Sequence, residues 1–273
     1  MLRTLIILFV LALSGCSSVF FFPMEKQILT PNKLGLDYQN VTLAGDEQPA
    51  IHGWFMPAIG DVKGTVYFLH GNAENISTHL QSVYWLPEEG YQLFMIDYRG
   101  FGKSEGHANL PGAIEDIEAG FEWLLNKQPS HVPIFLLGQS LGASMGIYFA
   151  ATHAKAAERL SGVISDAAFT GYGDIARHAA SQTWVTWLLQ YPASWLMIRG
   201  YDAVDYVGTL SPIPTLIIHS KDDRVIPFEQ SNLLFAAAQE PKQRLITKGR
   251  HIGTFNSSQN RRALLEFLRK NAN

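Results

Sequence analysis

Cysteine is almost absent: one thiol, Cys16, stands in 273 residues. That excludes a disulfide framework and a Cys-rich zinc site, and nine histidines spaced no closer than His70 and His79 form no ligand motif along the chain. Charge is sparse too, at 16% of residues, with Lys plus Arg 21 against Asp plus Glu 24 and no clustered basic stripe. Without a positive excess to neutralise phosphates, nucleic acid is not an expected partner. The apolar run at the N-terminus, Leu5 to Leu13, has nine residues, less than half the roughly 20 that span a bilayer. Core material, by contrast, is plentiful. A chain of this length that is 47% hydrophobic and 12% aromatic is not globally disordered and suits one large domain.

Arg3 ahead of the short apolar run, with small residues behind it, has the layout of a signal segment. Leu13-Ser14-Gly15-Cys16 resembles the bacterial lipoprotein box, in which cleavage falls before the Cys and its thiol carries a diacylglyceryl group. The resemblance implies a signal peptide over 1–15, lipidation at Cys16 and a tether over 16–39 leading into a domain over 40–273. Several acyl chains on one residue anchor a protein stably. Ser17, where an Asp would signal inner-membrane retention, is similar to outer-membrane sorting with the domain facing the periplasm. Phe20-Phe21-Phe22-Pro23 is expected to pack on the domain, since an exposed aromatic run favours aggregation.

From about residue 40, short apolar runs alternate with stretches of helical period. Strands are predicted at Ile51 to Met56, Gly64 to Leu69, Tyr91 to Asp97, Val132 to Leu137, Gly162 to Ser165, Thr215 to His219 and Arg244 to Thr247. Helices are predicted near Ser77 to Glu88, Pro111 to Asn126, Leu141 to His153, Gly173 to Ile198, Phe228 to Gln239 and Ser257 to Lys270. Such alternation implies a doubly wound, mostly parallel sheet covered on both faces. Between Phe169 and Tyr206 no strand run occurs. There Trp184, Trp187, Leu188, Tyr191 and Trp195 share one helical face, which Pro192 should kink or split. The segment, about 170–205, reads as a small lid, with Trp184, Trp187, Tyr191 and Trp195 lining an apolar substrate pocket.

The apolar strand ending at Leu137 runs into Gly138-Gln139-Ser140-Leu141-Gly142 and then a helix, the strand, sharp turn and helix of a G-x-S-x-G nucleophile elbow. Gly142-Ala143-Ser144-Met145-Gly146 matches the same pattern, but Ser144 falls one turn into the helix and is expected to be packed. A serine needs a base and a group that orients it. His251, after the last strand and behind Gly249, is the predicted base, with His219 a structural rival. Asp222 and Asp223, after the penultimate strand, both suit the acid, and Asp166 is a third position. Asp97 is expected to anchor its own loop. Oxyanion donors are predicted at the Leu141 amide and in His70-Gly71-Asn72-Ala73-Glu74-Asn75, Asn72 before Ala73. Gly100 to Gly106 fits neither a dinucleotide loop nor a P-loop on spacing.

Taken together, the His70 to Asn75 loop, Asp97-Tyr98-Arg99-Gly100-Phe101-Gly102-Lys103-Ser104-Glu105-Gly106, the elbow at Ser140, the Asp223 to Pro227 element and His251 resemble the α/β-hydrolase superfamily, nearest its Bem46-like and ABHD13-like serine hydrolases, sometimes grouped with serine aminopeptidase-like sequences. The resemblance implies an α/β fold with a mostly parallel eight-stranded sheet, flanking helices and a small helical lid. It implies a Ser140-Asp223-His251 triad, the acid fixed by its spacing to Pro227, and a structural part for Arg99. No cofactor is implied, only water. The activity expected is hydrolysis of small-molecule or lipid carboxylic esters, with amide or peptide hydrolysis as the alternative and a non-catalytic envelope-binding lipoprotein as a third. Arg250 and the run Ile252 to Phe255 depart from the family's usual surroundings of the histidine.

Overall fold

Six strands have both faces under cover. These are β2 (Ile51–Met56), β3 (Gly64–Leu69), β4 (Tyr91–Ile96), β5 (Ile134–Gln139), β6 (Leu160–Asp166) and β7 (Thr215–Ser220). Their near-continuous Val, Ile, Leu and Phe content follows from that cover. Two edge strands complete the sheet, β1 (Gln39–Leu43) and β8 (Lys242–Thr247). The computed structural model describes residues 21–43, 48–182 and 186–272. The signal segment, Cys16, Phe20 and Trp184 lie outside those residues. Among the described residues, no helix is long and apolar enough to cross a membrane.

The strand order is β8-β7-β6-β5-β3-β4-β2-β1, and β2 alone runs against its neighbours. β1 escaped the sequence reading because an edge strand exposed on one side has only Val41 and Leu43 turned inward, too short an alternation to stand out. One face of the sheet packs on α1 (Ile76–Val83) and α9 (Ser258–Lys270), through Ile76, Leu80, Leu264 and Leu268. The other packs on α2 (Leu110–Lys127), α3 (Leu141–Thr152) and α8 (Phe228–Ala237), through Ile117, Phe121, Ile147 and Leu234. Two short helices had no distinct sequence signal, α4 (Ala154–Arg159) and α7 (Ala203–Tyr206).

The helix expected over Gly173 to Ile198 is two helices. α5 (Tyr172–Ser181) ends first; a 3-10 turn at Trp187–Leu189 then leads into α6 (Gln190–Leu196). Pro192 is the third residue of α6, in the first turn, where its missing N–H leaves no helical bond unmade. The chain splits before the proline rather than kinking at it.

The N-terminal segment is bound to the domain from Phe21 onward, inside the stretch expected to be a tether. Phe21 is buried in an edge-to-face pair with Phe101, ring centroids 6.0 Å apart, whereas Phe22 is exposed. Phe22–Pro23 pairs in parallel with Ala73–Glu74, and Asn75 donates from Nδ2 to the Met24 and Lys26 carbonyls at 2.8 and 2.9 Å. The Ile28 amide donates to Ser77 Oγ.

Candidate active site

Loops at the C-terminal ends of four parallel strands meet here, where ligand sites form in open α/β sheets. The first is the elbow between β5 and α3. Ser140 has φ 55°, a conformation that a non-glycine residue adopts only when its surroundings impose it. The imposition comes from close packing. A Cβ on Gly138 would strike the Gly142 carbonyl and the Ala143 backbone, and one on Gly142 would strike the Leu69 and His70 carbonyls. Ser140 N donates to the Asp166 carbonyl at 2.8 Å, tying the elbow to the end of β6. Leu141 is the first residue of α3, so its N–H is one of the helix's orphan donors at the positive end of the dipole. Ser144 is buried and exchanges hydrogen bonds with the Phe169 backbone, as its place inside the helix requires.

The second loop follows β3. Gly71 lies against the elbow: a Cβ there would be 3.6 Å from that of Ser140. Asn72 is half-buried and Ala73 exposed. Two histidines that the sequence reading gave no role hold this loop. His79 donates from Nε2 to the Ala73 carbonyl at 3.1 Å; buried His70 stacks on Tyr98 at 4.2 Å and donates from Nδ1 to the Gly71 carbonyl. Burial holds the pKa of both below the ordinary imidazole range, so each is neutral and can serve as a fixed donor. Asp97 accepts from the Ile76 amide at 2.8 Å and sits where a side chain on Gly102 would be, so it anchors the loop after β4 and the start of α1 together. Arg99 grips Asp116 with Nε, Nη2 and its own amide, a purely internal fork.

The third loop pair follows β7 and β8. Asp223 Oδ1 accepts from the Val225 and Ile226 amides at 2.8 and 3.0 Å, which leaves Oδ2 for His251 Nδ1, 2.7 Å away. Burial alone would raise this carboxyl, but the hydrogen bond and charge of His251, with the two amides, hold it below the usual carboxylate value. Asp222 is turned elsewhere and accepts from the Gly249 amide at 3.1 Å. His219 is buried, donates from Nε2 to the Ile226 carbonyl and lies 3.7 Å from Asp223 Oδ2, behind the carboxylate rather than in front of it. With Nδ1 given to Asp223, the His251 ring presents Nε2 outward. Ser140 makes no hydrogen bond to it among the described residues, as is common before a substrate closes such a site.

Asp166 joins the elbow to the segment after β8. It accepts from Gln139 Nε2 and from Thr254 Oγ1, each at 2.8 Å, and makes no bond to His251, which rules against it as the orienting acid. Burial is the main cause that pushes its pKa up to about 6 from 3.8. A raised carboxyl keeps its proton in the folded state while the unfolded chain has lost it, so stability falls as pH rises from about 4 to about 6 and is level above. Asp166→Asn removes that slope: the Thr254 bond remains, and Gln139 Oε1, now unpartnered, can accept from the new amide. The expected gain at pH 8 approaches roughly 3 kcal/mol, vanishing near pH 4, and denaturant melts at both pH values measure it. No gain at pH 8 would contradict the protonation assigned to Asp166.

A cleft of about 670 Å³ opens beside His251, lined by Asp222, Arg224, Val225, Gly249, Arg250 and His251. Trp187, Tyr191 and Trp195, predicted to line a pocket, are not in its wall. They are 54%, 56% and 68% exposed, as is Leu188 beside them, because no residue of the 3-10 turn or of α6 is buried.

The profile described as serine aminopeptidase S33 matches residues 60–209, the stretch from before β3 through the elbow and past α7, short of Asp223 and His251. The YfhR protein of Salmonella typhimurium, itself uncharacterized, is 32% identical over 268 residues, covering 92% of this chain and 87% of its own. The bem46 protein of Schizosaccharomyces pombe is 23% identical, covering 81% of this chain and 72% of its own. Among solved structures, an esterase of Pyrococcus furiosus superposes with a TM-score of 0.75 at 21% identity, over 92% of this chain and 98% of that one. A profile match over more than half the chain and a relative aligned along nearly all of it agree: this chain belongs to the serine aminopeptidase S33 family and is an α/β-hydrolase.

Proposed function

We propose that the protein is a membrane-anchored serine hydrolase of carboxylic esters. The observation that carries the reading is the 2.7 Å hydrogen bond between Asp223 Oδ2 and His251 Nδ1, at the same sheet edge as a serine held at positive φ. Asp223 fixes the ring and stabilises its charged form; His251 takes the Ser140 proton as Oγ attacks the carbonyl carbon. The Leu141 amide, with that of Asn72 or Ala73, holds the oxyanion. His251 then protonates the departing alcohol, and water activated by the same ring releases the acid. Ester cleavage is preferred to amide cleavage because no carboxylate cluster stands in the wall of the His251 cleft to hold a free amino terminus; Asp222 is there alone and is bonded to Gly249. Aminoacyl anilides with the amino terminus free or acetylated, assayed beside a short-chain ester, test this: the ester is expected to be cleaved with no preference for the free amino terminus, and a strong preference for the free-amino anilide over its acetylated form would favour the peptidase reading.

Anchoring rests on the lipoprotein box at Cys16. With Phe21 already docked on the domain, the tether is short, and the site is held within one domain diameter of the membrane. Cys16→Ala is expected to move the protein from the detergent phase to the aqueous phase of a cell-envelope extract and to abolish fatty-acid labelling. Labelling that persists in the variant would overturn the anchor.

A further inference from the structure

The His251 cleft holds two guanidinium groups that nothing in the fold uses. Arg224 and Arg250 both line it. Both are exposed, and among the described residues neither side chain makes an ion pair, a hydrogen bond or a ring contact. The arginines that serve the fold behave differently: Arg99 grips Asp116 and Glu115, and Arg261 donates to the Phe255 carbonyl. The carboxylates beside Arg224 in the chain already accept hydrogen bonds. Asp223 spends Oδ1 on the Val225 and Ile226 amides and Oδ2 on His251, and Asp222 holds the Gly249 amide. With Asp222 as the one carboxylate among its lining residues, the cleft sets two guanidinium charges against one carboxylate and is net positive.

Its side of the site identifies which part of the substrate would enter it. In acylation the Ser140 Oγ–carbonyl bond forms and the bond from the carbonyl to the alcohol oxygen breaks. The proton His251 took from Ser140 goes to that departing oxygen. The alcohol oxygen must therefore come to His251, and the cleft that His251 lines together with Arg224 and Arg250 is open to the rest of the alcohol. Guanidinium groups match the oxygens of phosphate and carboxylate in fixed fork geometry.

Resting on the ester reading, we infer that the preferred substrates are esters whose alcohol part carries an oxyanion, a phosphate or a carboxylate, bound by Arg224 and Arg250. These two residues set specificity; Ser140, Asp223 and His251 perform the chemistry whichever alcohol leaves.

The test uses the full chain in a nonionic detergent and three esters with one short acyl chain: monobutyrylglycerol, its 3-phosphate, and the butyryl ester of glycerate. The leaving oxygens are alike, so kcat/KM compares the alcohols. An anionic ester is expected to be favoured about tenfold at low salt, two exposed charge contacts acting together, and the preference should shrink in 0.5 M salt. Phosphate over glycerate, or the reverse, identifies the oxyanion. In the Arg224→Ala/Arg250→Ala protein the ratio should fall toward one, and in Arg224→Lys/Arg250→Lys it should partly return. Equal or reversed rates on the anionic and neutral esters, with the neutral ester still cleaved through Ser140, would overturn this inference and leave the ester reading standing, as would a preference that survives both alanines. No cleavage of any ester and no reactive Ser140 would overturn both.

Discussion

Ser140→Ala is expected to lower turnover of any ester the protein cleaves by at least about 10,000-fold, because the attacking atom is gone and only binding and oxyanion donors remain. The fold should be unaffected. Ser140 is the N-cap residue of α3 but its hydroxyl makes no capping hydrogen bond, and the strained turn at residue 140 is imposed by Gly138 and Gly142, which the variant keeps; alanine tolerates φ 55° no worse than serine. Steady-state kinetics beside a thermal melt separates the two. A variant as active as the parent would place the nucleophile elsewhere, and Ser144, buried against Phe169, offers no accessible substitute.

Asp223→Asn should cost about as much, roughly 10,000-fold in kcat, because an amide facing Nδ1 favours the wrong tautomer of the ring. The neighbouring substitution, Asp222→Asn, is expected to cost less than about tenfold: it keeps an acceptor for the Gly249 amide and never meets the ring. The pair of variants discriminates sharply, since the two carboxylates are adjacent in the chain and only Asp223 bonds the ring of His251. Equal losses would mean that the hydrogen bond to His251 is not the feature that matters.

That adjacency also marks the limit of what the sequence reveals. Chain order and the glycine-flanked serine bring Ser140 and His251 to the same sheet edge without any coordinates, because strand ends and the residues after them are read directly from apolar runs such as Phe135 to Leu137. Chemistry alone does not separate Asp222 from Asp223, and only the resemblance, through the spacing to Pro227, favours Asp223; the physical reason lies in the turn, in which Val225 and Ile226 donate to one carboxylate and Gly249 to the other. The supports were hidden for a different reason. His79, Thr254 and Gln139 act through contacts across loops far apart in the chain, and no local pattern reports those. β1 was missed because an edge strand buries only every second residue, and there are two of them. The aromatic face from Trp187 to Trp195 failed in the opposite sense. Its helical spacing is real, yet periodicity reports that side chains share a face, not that the face is covered, and here it looks outward.

The proposed chemistry requires Ser140 to be an activated nucleophile. The most direct measurement is covalent labelling of the full-length protein with a fluorophosphonate, followed by peptide mapping with mass spectrometry. One adduct is expected, on Ser140, absent from Ser140→Ala and strongly slowed in His251→Ala. A folded protein that acquires no adduct, or acquires it at another serine, would contradict it.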